Sequence, residues 1–219
     1  MNTPSPISNL QSLSFLFDIG KVLLDFDFEA SLKTFLPPGH PDPASALSEL
    51  LTKKDEFEAG RISVSDYTDW ALATLGSSAS HAEFHHAWRH IFTPNEPMWQ
   101  TVRALHAAGH RLILFSNTNA IHCPWVFEAY PEFSLFHGAI LSYEVDSIKP
   151  EPEIYRHAIE KYSLIPGKTL YIDDLPANIA TGNQFGLRTH QYHLDNHQAF
   201  EHWLAKQLSQ SVVGICSPH

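Results

Sequence analysis

The chain has 219 residues, 43% of them hydrophobic, with 24 acidic against 14 basic side chains and a formal net charge of −10. That is enough apolar content for one sizeable core, or a core plus a small inserted subdomain. The charge and the lack of any basic run argue against a nucleic acid or an anionic membrane as partner, so an anionic small-molecule substrate would need locally gathered positive charge.

The opening stretch MNTPSPISNLQS has no charged n-region and no apolar h-region, and reads as a loose tail over 1–12 rather than a signal peptide. LSFLF (13–17) reads as a short buried strand, and residues 19–27, with Gly20, as a turn or small hairpin. From 28 to about 92 the pattern is helical, broken by PPGHPDP (37–43) and GSSAS (76–80). SVSDYTDWALATL (63–75) is the clearest amphipathic helix there, with Ser63 or Ser65 as its cap. TPNEP (93–97) leads into a helix stopped by Gly109. RLILFSN (111–117) is a continuous apolar strand of the parallel-sheet kind, followed by a helix near 120–130. GAILS (138–142) is a third strand, and EPEIYRHAIEKYSL a helix with Pro152 in its first turn. KTLYIDD (168–174) and LRTHQY (187–192) are the remaining strands; ANIATGNQFG and DNHQAFEHWLAKQL are the helices after them.

Alternating strands and helices predict a doubly wound α/β parallel sheet. The helical block interrupts that alternation after the first strand and reads as an inserted cap. The expected division is a core of 13–27 and 93–208, a helical cap of 28–92, and loose tails at 1–12 and 209–219. Cys123 and Cys216 make no disulfide framework and fit a reducing, cytoplasmic compartment. No apolar stretch approaches the roughly 20 residues that span a bilayer. The 15 histidines are scattered without HExxH spacing, so no histidine metal site is expected.

In a doubly wound sheet the site lies at the carboxyl ends of the strands. Those ends carry Asp18, then Ser116-Asn117, then the segment from Ser142 to Lys149, then Asp173-Asp174. The set is coherent for phosphoryl transfer. A carboxylate can attack phosphorus, and a second carboxylate lets a hard cation such as Mg²⁺ bind both groups and a phosphate oxygen. A serine with exposed backbone N–H groups can hold the other oxygens, and a lysine offsets the gathered charge. Each residue alone has a plainer reading, as a helix cap, a turn residue or a solvated lysine. Their order at successive strand ends favours the joint one.

The motifs FDIGKV (17–22), LILFSNTN (112–119), IKPEPEIY (148–155) and YIDDLPANI (171–179) resemble the four motifs of the haloacid dehalogenase superfamily. The likeness covers about residues 13–207, and the helical insert resembles that family's C1 cap. Closer still, FDIGKVLLDFDF, LFSNTN and IDDLPANI are similar to a phosphatase branch that includes bacterial glucose-1-phosphate phosphatases. The resemblance implies Asp18 as nucleophile and Ser116 and the Asn117 backbone N–H as phosphate-binding groups. It also implies Lys149 as the charge bridge, Mg²⁺ held by Asp18, Asp174 and the Gly20 carbonyl, and Asp173 in support. Asn178 is expected to hold Lys149 or Asp174 in place.

Asp25-Phe26-Asp27 also satisfies Asp-x-Asp, but Phe28-Glu29 follows where the family has a glycine turn. Asp18 is therefore preferred, with Asp25 and Asp27 on a solvated flap. The family's usual acid/base carboxylate, two residues after the nucleophile, is here Gly20. A metal-free 2-haloacid dehalogenase and a non-catalytic phosphometabolite-binding protein are the competing readings; the acidic pair Asp173-Asp174 favours a Mg²⁺-dependent phosphatase. Lacking the acid, such an enzyme is expected to prefer sugar 1-phosphates or acyl phosphates, whose leaving oxygens are weak bases. Within the cap, Arg61 and Tyr67 are candidate substrate contacts, against the plainer reading of both as ordinary helix-surface residues.

Overall fold

The computed structural model describes residues 12–28, 31, 33–37 and 42–213. A five-stranded parallel sheet forms the centre, in the order β5-β4-β1-β6-β7. Its strands are β1 Ser14–Phe17, β4 Arg111–Ser116, β5 Ala139–Leu141, β6 Thr169–Asp173 and β7 Arg188–Gln191. β1 is central and pairs in parallel with both β4 and β6, placing Phe17 beside Leu114 and Ile172. β1, β4 and β6 are almost wholly buried, which is why their sequences are continuous apolar runs rather than alternating ones.

Helices cover both faces. One apolar cluster joins Phe15, Phe17, Trp99, Leu112, Leu114 and Phe200; the other joins Leu16, Ile113, Phe115, Tyr155 and Tyr171. Successive residues of β1 thus enter opposite cores, as the two-residue period of a strand requires. The covering helices are α5 Glu96–Ala107, α6 His122–Ala129, α8 Pro152–Tyr162, α9 Pro176–Gln184 and α10 His197–Val213, with the single turn α7 Ser142–Val145 after β5. Pro152 and Pro176 stand in the first turns of α8 and α9, where a missing N–H costs nothing. The last helix runs on through 209–213, which the sequence reading assigned to a loose tail. The rest of the expected tails, 1–11 and 214–219, lies outside the described residues.

The segment after β1 is not a self-contained hairpin. Leu24–Phe26 forms β2, whose antiparallel partner is β3, Phe92–Pro94, on the far side of the helical insert. Three-residue strands are too short for alternation to reveal them. The pairing was invisible because its two halves are separated by the whole insert.

The insert contains α1 Pro43–Leu51, α2 Lys54–Glu58, α3 Val64–Leu75 and α4 His81–Arg89. Ser63, not Ser65, caps α3 by accepting from the Asp66 N–H, and Ser80 with Glu83 forms a capping box on α4. These helices bury a cluster of their own around Phe57, Tyr67, Leu75, Phe84 and Trp88. The Phe57 and Tyr67 rings stack at 4.1 Å, and Tyr67 is completely enclosed.

Candidate active site

Asp18, Ser116, Asn117 and Asp174 line one cleft of about 370 Å³ between the carboxyl edge of the sheet and the helical insert, and Lys149 and Asp173 are buried behind them. Asp18 follows β1, its N–H bonded to the Ile172 carbonyl at 3.0 Å, so the sheet ladder fixes its backbone. Its Oδ1 accepts from the Ile19 N–H at 2.8 Å. Asp18, Asp173 and Asp174 bring one carboxylate oxygen each within 4.8 Å of one another.

Lys149 is not a surface lysine. Its side chain is fully buried and its ammonium lies 3.1 Å from Asp18 Oδ1 and 2.6 Å from Asp173 Oδ2. It also donates to the Phe115 carbonyl at 2.8 Å. Two of these contacts, to Phe115 and Asp173, are hydrogen bonds, and the third, to Asp18, is an ion pair. Lys149 thus meets Asp18, as its expected role as charge bridge requires, and it also meets Asp173. Burial works against the Lys149 charge, but Asp173 and Asp18 outweigh it and hold its pKa above the ordinary value.

Asp173 is saturated. Oδ2 accepts from Lys149 and, at 2.6 Å, from the Tyr171 hydroxyl. Oδ1 accepts from the Leu175 N–H and from Asn178 Nδ2, both at 2.9 Å. Burial opposes its ionisation, yet Lys149 and these hydrogen bonds prevail and keep its pKa below the usual carboxylate range. Asn178 therefore orients Asp173, not Lys149 or Asp174 as expected. Asp174, by contrast, is half-buried at the cleft wall, and burial, followed by the Asp173 charge, pushes its pKa up. Burial is also the largest influence on Asp18; opposed by Lys149 and reinforced by Asp173, it raises that carboxyl to about 7.

Three carboxylates against one ammonium leave an excess of negative charge in a desolvated place, and such an excess calls for a cation. The donors fit a hard one: carboxylate oxygens of Asp18 and Asp174, on the cleft wall with Gly20. The side-chain oxygen of Asn178, beside them, is buried without a hydrogen-bond partner in the protein, a spare acceptor of the kind a coordinated water satisfies.

The loop after β4 is clamped by side chains. Asn117 Nδ2 donates to the Lys149 carbonyl at 2.8 Å, and Asn117 Oδ1 accepts from the Lys149 N–H at 2.7 Å. Ser142 Oγ accepts from the Thr118 N–H at 2.9 Å and donates to its carbonyl at 3.1 Å. Ser116 lies beside Asp18, and both line the cleft. The amide of Asn117 thus locks the lysine loop, a role its sequence position alone did not disclose.

Gly20 is open on its backbone but closed above it. A Cβ built there would stand 2.9 Å from Cε1 of Phe26 on β2, so an aromatic ring fills the space of the missing carboxylate. Neither Asp25 nor Asp27 lines the cleft. Asp25 is paired with Lys21, whose hydrogen bond holds its pKa low, and accepts from the Phe26 N–H at 2.8 Å.

The two cap residues weighed as candidate substrate contacts, Arg61 and Tyr67, do not line the cleft. Tyr67 is part of the cap's own core, donating to the Leu50 carbonyl at 3.3 Å. Arg61 is outside the cleft and reaches Asp146 at 2.9 Å and Glu151 at 3.7 Å, tying the insert to the core. The insert's cleft-facing polar residues are instead Lys54 and Glu58 of α2, paired at 2.8 Å. In the sequence they were an ordinary i,i+4 pair of opposite charge, the commonest pattern on any exposed helix. The aromatic side chains Phe26, Phe28 and Phe92 form much of the remaining wall.

Residues 15–186 match the family model of the haloacid dehalogenase-like hydrolases, and the chain belongs to that family. It is an enzyme of the haloacid dehalogenase superfamily. Among named relatives, a D-ribitol-5-phosphate phosphatase of Bacteroides thetaiotaomicron is 28% identical over 189 residues, covering 81% of this chain and 90% of that one. A haloacid dehalogenase family enzyme of the same organism, solved as a magnesium complex, superposes with a TM-score of 0.71 at 25% identity, covering 84% of this chain and 94% of its own. A predicted hydrolase of the same kind from Porphyromonas gingivalis gives 0.71 at 25% identity, covering 88% and 98%.

Proposed function

We propose that this chain is a Mg²⁺-dependent phosphatase acting on a small phosphorylated metabolite, a sugar or sugar-alcohol phosphate, through an aspartyl phosphate on Asp18. One observation carries the reading: Asp173 is saturated by protein donors, while Asp174 stands beside Asp18 with a carboxylate not needed for structure. A halide-displacing enzyme has no use for that second negative charge next to its nucleophile. The two relatives described above support it, one named for a sugar-alcohol phosphate and one holding magnesium.

Asp18, Asp174 and the Gly20 carbonyl hold the cation, which supplies charge neutralisation that lets a carboxylate approach a phosphate dianion. Asp18 attacks phosphorus. Lys149 opposes the effect of burial on Asp18 and orients it, and Asp173 keeps Lys149 in place. Ser116 and the backbone N–H of Asn117 hold phosphoryl oxygens. Residues 28–92 act as the cap domain over a core of 13–27 and 93–208. The buried thiol of Cys123 is in keeping with a reducing, cytoplasmic setting. No helix among the described residues is long and apolar enough to cross a membrane.

Sugar 1-phosphates, expected from Gly20 alone, remain in the substrate class beside primary phosphates such as D-ribitol 5-phosphate. The test is phosphate release across a panel of both kinds, with and without Mg²⁺. Wild type should release phosphate only with the cation, and Asp18→Asn should release none while keeping its fold. Turnover that survives chelation and yields halide from 2-haloacids would replace the phosphatase reading with a dehalogenase.

A further inference from the structure

We propose that Glu58, held by Lys54 on cap helix α2, is the general acid and base of this site, standing in for the carboxylate that Gly20 lacks. The proposal rests on the phosphatase reading above. The segment after β1 offers no donor in its place: the space over Gly20 is filled by the Phe26 ring, Asp25 is paired with Lys21, and Asp27 does not line the cleft. Among the described residues of the insert, Glu58 is the carboxyl on the cleft wall, and it is only 6% exposed.

A carboxyl there is suited to carry a proton. Burial is the main influence on Glu58 and raises its pKa despite the opposing Lys54 charge. The charge of Asp18 reaches it and acts in the same direction, as does that of Asp55 on its own helix. Among the described residues, Tyr67 of α3 and His122 of α6, both neutral, also belong to its titratable surroundings: Tyr67 feels the Glu58 charge, and His122 that of Lys54. Lys54 is held above its ordinary pKa, chiefly by Glu58 against the cost of burial, so it retains its proton and acts as the anchor. An incoming phosphate dianion raises the proton affinity of Glu58 further.

The steps balance. Asp18 Oδ forms a bond to phosphorus, the bond from phosphorus to the leaving oxygen breaks, and that oxygen takes the proton of Glu58. A neutral alcohol departs and the Glu58 carboxylate stays paired with Lys54. In the second half a water oxygen attacks the aspartyl phosphate, its proton passes to Glu58, and Asp18 leaves as a carboxylate.

The test uses the full chain with Mg²⁺ and two substrates, p-nitrophenyl phosphate and D-ribitol 5-phosphate. The first has a weakly basic leaving oxygen and needs little protonation. The value of kcat/KM reports the first chemical half. Glu58→Gln should lower it about 10²–10⁴-fold on the alkyl ester and less than about tenfold on the aryl ester. Equal losses on both, or no loss on the alkyl ester, overturn the proposal. Lys54→Met gives a second reading in a variant whose changed side chain is partly exposed. Without the ammonium the Glu58 acid form persists to higher pH, so the basic limb of the alkyl-ester profile should move upward. The carboxyl ¹³C titration of Glu58 in metal-free protein should move the same way, and an unmoved limb and titration overturn the proposal. A wild type inert towards both esters would sink the phosphatase reading itself.

Discussion

Gly60, at the turn after α2, lies against Tyr143 of the core so closely that a Cβ there would stand 2.4 Å from the Tyr143 carbonyl oxygen. The turn also has φ +78°, a conformation that side chains resist. Insert and core thus meet backbone to backbone beside the Arg61–Asp146 ion pair. Gly60→Ala should push the turn off the core and lower kcat/KM at least about tenfold, since a misplacement of about 1 Å far from the chemistry can cost 10²-fold. Gly76→Ala is the control. It has φ +61° but only an ordinary 3.8 Å contact, so it should cost about 1 kcal/mol of stability and leave turnover near wild type. Melting temperatures and steady-state rates separate the two.

Lys149→Met should abolish more than activity. It leaves Asp18 and Asp173 buried with no cation from the protein. Breaking a buried pair in this way costs about 3–5 kcal/mol. The rate should fall at least about 10²-fold, the scale for removing one preorganised electrostatic group. Denaturant unfolding and kcat measured on the same preparation check both parts; a loss under threefold in rate returns the residue to a structural role.

Asp173 and Asp174 should separate cleanly. Asp174→Asn should remove the rise in melting temperature that Mg²⁺ gives wild type, with little effect on the metal-free protein. A ligand at a hundredfold excess over its Kd stabilises by about 2.7 kcal/mol, so the wild-type shift is measurable. Asp173→Asn should instead destabilise the metal-free protein, because Lys149, Tyr171, Leu175 and Asn178 all lose their ionised acceptor. Thermal unfolding with and without Mg²⁺ tests the pair, and equal behaviour of the two variants would contradict the geometry.

His122 makes folding sensitive to acid. Its buried ring packs against the Trp88 and Phe28 rings, which also touch each other, with Nε2 3.0 Å from the Trp88 carbonyl and Nδ1 3.1 Å from Asn119 Nδ2. Burial pushes its pKa from 6.5 down to about 3. Between those values the unfolded chain binds the extra proton and the folded chain does not. Stability from this residue is therefore complete above about pH 6.5 and declines as the pH falls towards 3. His122→Phe should be less stable at neutral pH but show a shallower fall of melting temperature between pH 6.5 and 4.

The sheet was legible in the sequence because β1, β4 and β6 are buried on both faces and so appear as apolar runs with a polar residue at the end. That pattern pointed to the fold class and to Asp18, Ser116, Asp173 and Asp174 at strand ends, with Lys149 in the loop beyond α7. It also separated Asp18 from Asp25, since a glycine turn follows one and a phenylalanine the other. The tertiary structure decided what depends on contacts between distant segments. β2 found its partner beyond the insert, and that pairing brought Phe26 over Gly20. Asn178 donates to Asp173, whose carboxylate also receives Lys149, Tyr171 and Leu175. Arg61 and Tyr67 were drawn away from the cleft by an ion pair and by the cap's own aromatic core, leaving Lys54 and Glu58 to face it. A local pattern records which face of an element is apolar. It does not record which distant element covers that face, and that covering selects the polar residues left to line the site.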